Sequence, residues 1–229
     1  MKSKLLKHKE LFLVAFAISL LFVKCNVESV SNDQDSLKSL DSAGYWFNEF
    51  KKSDSRLEFG PQYLSKAIEY VDQMDNDSVK RDYLLDIAFE LLELRNDSLF
   101  KGVNERILQY SELKNDSAAL GEYYWNNGIH FSDKESLDSA YYSFSMAENI
   151  YQKVGDNYRK ARMQYNSAYI LRRSKSYVLS EVKALNSVKE FESLDKKMSL
   201  YSAYNHLGLL YNDLDKYDLA IEYHNKASK

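Results

Sequence analysis

The sequence has little of what turn-rich, disulfide-bonded or zinc-bound folds require. Its 229 residues include 7 glycines, 1 proline and 1 cysteine. Glycine and proline are too scarce for the turns of an all-β fold, and a single cysteine closes no internal disulfide. The 4 histidines show no HExxH spacing and CxxC pairs are absent, so no metal site and no cofactor is predicted.

What is present favours a folded, all-α chain. The composition is 45% hydrophobic and 14% aromatic, which excludes low-complexity disorder. Apolar residues recur at spacings of three and four, the period of a helix with one buried face. The clearest example is the series Leu137, Ala140, Tyr141, Phe144 and Ala147.

The N-terminal segment 1–25 has the pattern of an export signal. Four lysines precede an apolar run at 11–23. As a helix, this run would be about 20 Å long, against roughly 30 Å of bilayer hydrocarbon. A signal peptide is therefore favoured, with an uncleaved anchor as the alternative.

The only cysteine, Cys25, directly follows this run and Lys24. Its placement resembles that in bacterial lipoprotein signals, which implies lipidation of Cys25, a membrane anchor and a location in the bacterial cell envelope. The alternative is an unmodified thiol. The hydrophilic stretch at 26–35 is predicted to form a tether.

Charge argues against nucleic acid as a partner. The segment 1–25 holds five lysines and one glutamate, so its removal changes the net charge from −3 to −7. Nucleic-acid binding depends on clustered positive charge, which an acidic chain does not supply.

The chain repeats itself with a period of about 40 residues. Small residues recur at two places in the repeat, and these are Gly128, Ala168 and Gly208, followed by Ala140, Ser180 and Ala220. Each unit holds two helical patterns, such as 116–131 and 137–154, joined by a polar turn. Asp116 and Asp156 are expected to cap the first helices, and Ser136 and Ser176 the second helices. Each unit is therefore predicted to be an antiparallel helical hairpin.

The repeat resembles the tetratricopeptide repeat (TPR). The last unit reads Tyr204-x-x-Leu207-Gly208-x-x-Tyr211 and then Ala220-x-x-x-His224-x-x-Ala227. The resemblance implies an α/α superhelical solenoid over 80–229, of a type with repeats longer than the usual length of about 34 residues. An irregular first hairpin is expected over 36–79, with its second helix starting at Gly60-Pro61. An unrelated helical bundle is the alternative.

The resemblance also implies that the first helices line a concave groove that binds a peptide or protein. The positions it assigns to the groove are Glu122, Trp125, Asn126, Ile129, Arg162, Tyr165, Asn166, Tyr169, Ser202, Asn205, His206 and Leu209. Arg162, Tyr165, Tyr169 and Arg172 form one stripe from their spacing alone. Such a stripe suits an extended peptide with an acidic or aromatic side chain. The alternative is that its tyrosines pack between hairpins and its arginines are merely solvated.

Two functions are consistent with these patterns. No phosphate-binding loop or nucleophile motif is present, so neither an enzyme nor a small-molecule substrate is expected. The first hypothesis is an exported, envelope-anchored scaffold or adaptor that binds a protein partner. The second is the sensory region of a membrane-bound signalling or transcriptional regulator with its output domain beyond residue 229. The sequence ends after a second helix without a polar capping helix, so we expect either a truncated array or a partner that completes it.

Overall fold

The computed structural model describes residues 38–53, 56–75 and 77–228. The predicted export signal at 1–25, with Cys25, and the predicted tether at 26–35 lie outside these residues. The described part of the chain contains helices and turns and no strand. The predicted all-α class is confirmed.

The chain divides into two compact units, Met1–Tyr83 and Leu84–Lys229. A first helix, α1, covers residues 38–52. The helices that follow are α2 Arg56–Val71, α3 Asp77–Glu93, α4 Asp97–Lys114, α5 Ser117–Asp133, α6 Leu137–Val154, α7 Asn157–Arg173, α8 Tyr177–Ser193, α9 Lys197–Asp213 and α10 Tyr217–Ala227.

The first unit buries apolar side chains of both α1 and α2. Phe47 and Phe50 of α1 are buried, as are Leu64 and Val71 of α2. The expected start of the second helix at Gly60-Pro61 is wrong, because α2 begins at Arg56 and contains Pro61. A proline this close to a helix start removes one backbone hydrogen bond, and the helix is held by the face that it buries after Pro61, with Leu64, Ala67 and Val71.

In the second unit, consecutive helices pack on one another. Each helix from α4 to α10 contacts the next, and α7 also contacts α9. This order of neighbours is that of an all-α helical-repeat solenoid, because each hairpin touches chiefly the hairpins adjacent to it in sequence. The predicted solenoid class is confirmed.

The small residues of the repeat lie where two helices meet. A Cβ added to Gly128 would be 2.4 Å from Phe144 of α6, and one added to Gly208 would be 2.6 Å from His224 of α10. Ala168, at the equivalent position of α7, is fully buried. The recurring small residues therefore allow the two helices of a hairpin to approach closely.

One type of turn joins every pair of helices from α3 onward. Each turn has one residue of positive φ, and these are Arg95, Asn115, Glu135, Gly155, Lys175, Asp195 and Asp215. The next N–H donates to the carbonyl five residues earlier, as from Asn96 to Leu91 at 3.0 Å. This is the Schellman arrangement. Each repeat is thus built from two halves that end in the same turn.

The predicted helix caps are confirmed for the first helices and wrong for the second. Asp116 accepts from the N–H of Ala119 at 3.0 Å, and Asp156 accepts from that of Arg159 at 2.9 Å. Ser136 and Ser176 hold the N-cap positions but make no side-chain capping bond. The Ser176 hydroxyl instead accepts a hydrogen bond from the Ser174 hydroxyl at 3.3 Å.

Candidate binding face

The first helices of successive hairpins are linked side by side. Arg159 of α7 reaches Glu122 of α5 at 3.0 Å, and Tyr158 of α7 lies 3.3 Å from Ser199 of α9. Helices α5, α7 and α9 thereby present one surface, the first-helix face. Its members that are at least partly exposed are Trp125, Ile129, Arg162, Tyr165, Asn166, Tyr169, Arg172, Ser202, Asn205 and Leu209.

Arg162 lies over the ring of Trp125. Its guanidinium carbon is 4.1 Å from the indole centroid and 5.9 Å from that of Tyr158. At this distance a cation–π attraction holds the guanidinium group against the ring. Arg162 forms no ion pair with any described residue, so its charge is available to a ligand.

Tyr165 and Tyr169 pack around a histidine of the next first helix. Their ring centroids lie 5.9 Å and 6.4 Å from the ring of His206. Burial raises the pKa of Tyr165. Tyr169 remains 40% exposed and is therefore the aromatic ring of α7 most accessible to a ligand.

His206 itself is an interior residue. It is 3% exposed, and its Nε2 lies 3.3 Å from the Ser180 hydroxyl. Burial, helped by the nearby charge of Arg172, lowers its pKa to about 4. The imidazole is therefore neutral at pH 7. It packs against Tyr165 and Tyr169 from the interior of the protein.

The second arginine of the stripe is paired. Arg172 Nη1 lies 2.7 Å from Asp213 Oδ2 of α9. Its Nε is buried without a hydrogen-bond partner among the described residues. Arg172 therefore ties α7 to α9, and the net positive charge of the stripe comes from Arg162.

Besides His206, two positions that the resemblance assigned to the groove lie inside the protein. Asn126 is 5% exposed and donates to Asn104 Oδ1 at 3.2 Å. Glu122 accepts from the Tyr151 hydroxyl at 3.0 Å, and burial raises its pKa. Their side chains connect helices and are not offered to a ligand in this structure.

The remaining positions border the exposed surface. Asn166 is half-buried and makes no side-chain hydrogen bond with a described residue. Asn205 is exposed, and its Oδ1 lies 3.0 Å from Nδ1 of His224. Ile129 is half-buried against the apolar cluster of α6 and α7. Asn166 therefore offers amide groups for hydrogen bonds to a bound chain.

Sequence reasoning missed a cleft between α4 and α6. Its volume is about 780 Å³, and α5 forms its floor. This α4–α6 cleft is lined by Lys101, Asn104, Glu105, Tyr123, Tyr124, Asn127, His130, Phe131, Asp138, Ser139, Tyr142 and Ser143. The sequence does contain a pattern that could have indicated the cleft. Ser139 and Ser143 occupy the positions that the larger Leu179 and Lys183 occupy in the next repeat.

The described residues hold no group of three or more side chains placed to bind a metal ion. Among the helices of that same part, none has the length and hydrophobicity needed to cross a bilayer.

Comparisons with known proteins give a structural likeness and no family. No protein-family model matches the chain, and no curated protein matches it. A crystal structure of BtubC (BKLC) from P. vanneervenii is similar at a TM-score of 0.48 and 17% identity, with 86% of this chain and 72% of that chain covered. The helical repeat is therefore established by the helix order and packing of this chain itself.

Proposed function

We propose that this chain is a TPR-type protein of the long-repeat class that binds a peptide or protein partner on its first-helix face. It would act as a scaffold or adaptor and not as an enzyme. Support for the TPR type comes from the regular recurrence of small residues at the helix contacts and from the packing of α7 on α9.

The observation that carries this proposal is the exposure of large side chains that are already held in place. Tyr169 is 40% and Leu209 39% exposed, although both lie on helices fixed by their neighbours. His206 supports Tyr169, and Trp125 orients Arg162. A surface ordered before binding loses little conformational entropy when a ligand arrives.

The chemistry of the face favours a peptide with an acidic or aromatic side chain. Arg162 supplies a positive charge without a competing ion pair, and Tyr169 supplies an exposed ring. Asn166 adds amide donors and an acceptor for a peptide backbone. Aromatic and arginine side chains are also the residues that contribute most to protein interfaces.

The test is capture of the partner from the native cells by an affinity-tagged chain. Arg162→Glu combined with Tyr169→Ala is expected to abolish capture while the helical circular dichroism signal is kept. A matched control combines Lys189→Glu with Leu185→Ala, two exposed positions on α8. Equal capture by both variants would contradict the assignment of the face.

We also propose that the protein is located in the bacterial cell envelope. This proposal rests on the lysine-flanked apolar run at 11–23 and on Cys25. Native cells grown with labelled palmitate are expected to label the chain, and Cys25→Ser is expected to remove both the label and the membrane association. Membrane association that persists in an unlabelled Cys25→Ser chain would favour the uncleaved anchor.

A further inference from the structure

The α4–α6 cleft is open because α6 carries small side chains at its edge. One repeat later, Lys183 of α8 reaches Glu148 of α6 at 2.6 Å, and Gln164 of α7 donates to the same carboxylate at 3.1 Å. The equivalent of Lys183 is Ser143, which is too short to bridge to α4. Among the residues lining the cleft, no described hydrogen bond or ion pair joins α4 to α6.

The floor of the cleft is aromatic and ordered. The rings of Tyr123 and Tyr124 meet edge to face, with centroids 5.1 Å apart. Asn104 donates to Asn127 Oδ1 at 2.9 Å and to the Tyr123 carbonyl at 3.3 Å, which fixes α4 against this floor. Tyr142, at the rim, is 60% exposed. The cleft therefore offers several ring faces to a ligand.

The walls of the cleft carry more negative than positive charge. Glu105 on α4 and Asp138 on α6 are exposed on opposite sides, and neither forms an ion pair with a described residue. Lys101 is the one lysine or arginine that lines the cleft. Burial lowers the pKa of His130, so this imidazole is neutral at pH 7. The lining has a net charge of about −1, from two carboxylates and one ammonium group.

From the open cleft, its tyrosine faces and its two opposed carboxylates, we infer that the α4–α6 cleft binds a basic peptide through an arginine or lysine side chain. The cationic group would lie against the ring faces, where cation–π attraction acts, with Glu105 and Asp138 within reach of its N–H donors. An apolar neighbour in the peptide would pack on Phe131. The volume of about 780 Å³ accommodates a few side chains of a peptide.

This site is distinct from the first-helix face. Positions 125 and 127 of α5 are about 200° apart around the helix axis, so Trp125 and Asn127 lie on opposite sides of it. The two sites also prefer ligands of opposite charge, because Arg162 marks one and Glu105 and Asp138 mark the other. A single chain could then hold two partners at once.

The experiment titrates the full chain into a fluorescein-labelled pentapeptide of alternating leucine and arginine and follows fluorescence anisotropy. The same peptide with glutamate in place of arginine serves as the charge control. We expect the arginine peptide to bind about tenfold more tightly or better. Equal affinities for the two peptides would overturn the proposal.

Two kinds of variant locate the peptide in the cleft. Ser139→Trp fills the cleft, and Glu105→Gln with Asp138→Asn removes both carboxylates; each is expected to weaken binding about tenfold. The matched controls lie outside the cleft: Leu179→Trp, one repeat later, and Glu93→Gln with Asp218→Asn, which removes the same charge. These controls are expected to leave the affinity unchanged.

A further variant separates this inference from the proposed function. Arg162→Glu with Tyr169→Ala changes the first-helix face and is expected to leave the affinity for the arginine peptide unchanged. Loss of binding in that variant, with full binding in Ser139→Trp, would place the peptide on the first-helix face and overturn the cleft site. All the positions changed in the cleft variants are exposed, and thermal unfolding verifies that the variants fold.

Discussion

Gly128 and Phe144 approach so closely that a Cβ at residue 128 would lie 2.4 Å from Cε1 of the phenylalanine ring. Phe144 is 3% exposed and packed within the α6 and α7 cluster, so its ring has little room to move. The short distance between α5 and α6 therefore depends on glycine at residue 128, which has no side chain. The same relationship recurs at Gly208 and His224, where it sets the distance between α9 and α10.

Gly128→Ala is expected to destabilise the protein by about 1–3 kcal/mol, because a methyl group forces strain into a packed contact. Urea unfolding measures the change. The matched control is Gly102→Ala in α4, where an added Cβ would be 3.5 Å from its nearest neighbour, the flexible end of Arg106. Alanine in an uncrowded helix position is expected to stabilise by about 0.5–1 kcal/mol. Equal effects of the two substitutions would refute the close-packing argument.

Lys175→Gly is expected to stabilise the protein by roughly 0.5–1 kcal/mol, because Lys175 is exposed and has a φ of 61°, a conformation that costs a side-chain-bearing residue more than glycine. Gly155 provides the reverse test at the equivalent turn, with a φ of 76° and no atom within 4 Å of an added Cβ. Gly155→Ala should therefore lose about 1 kcal/mol from the backbone alone. Thermal unfolding of both variants checks the two signs, and a lower Tm for Lys175→Gly would contradict the account.

His206 is expected to make stability depend on pH. Its folded pKa is about 4 against about 6.5 for an unfolded chain, so the unfolded state binds more protons between these values. Its contribution is complete above pH 6.5 and is lost as the pH falls toward 4, by about 2–3 kcal/mol. The comparison is the free energy of unfolding from pH 7 to pH 4 for the natural chain and for His206→Gln.

The His206→Gln variant keeps His130 and every carboxylate, so their contributions to the pH dependence cancel in the comparison. The variant should show the smaller loss of stability on acidification. Parallel profiles for the two proteins would show that His206 is not buried in its neutral form.

Much of the second unit could be predicted from its sequence because the repeat places equal residues in equal environments. Gly128, Ala168 and Gly208 share one position, and each lies at a helix contact. The caps at Asp116 and Asp156 followed from short acidic side chains before a helical pattern. Local rules of this kind need no knowledge of the distant parts of the chain.

The remaining features depend on contacts between repeats, which local patterns do not contain. Asn126 and Asn166 occupy equivalent positions in the repeat. Asn126 is buried and donates to Asn104 of α4, whereas Asn166 is half-buried. Arg162 and Arg172 look alike in the stripe, but only Arg172 meets an aspartate on α9. The α4–α6 cleft arises because α6 has the short Ser143 where α8 has Lys183, which bridges to α6. The absence of such a bridge from α6 to α4 becomes visible only when the two helices are placed side by side.

The most direct test of the central claim is site-specific photocrosslinking in the native cells. A benzoylphenylalanine replaces Tyr169 in one chain and Leu185 of α8 in another, two positions that are each 40% exposed. The account predicts a discrete crosslinked protein from position 169 that disappears when Arg162→Glu is added, and none from position 185. The same adducts from both positions, or an adduct from 185 alone, would contradict a partner on the first-helix face.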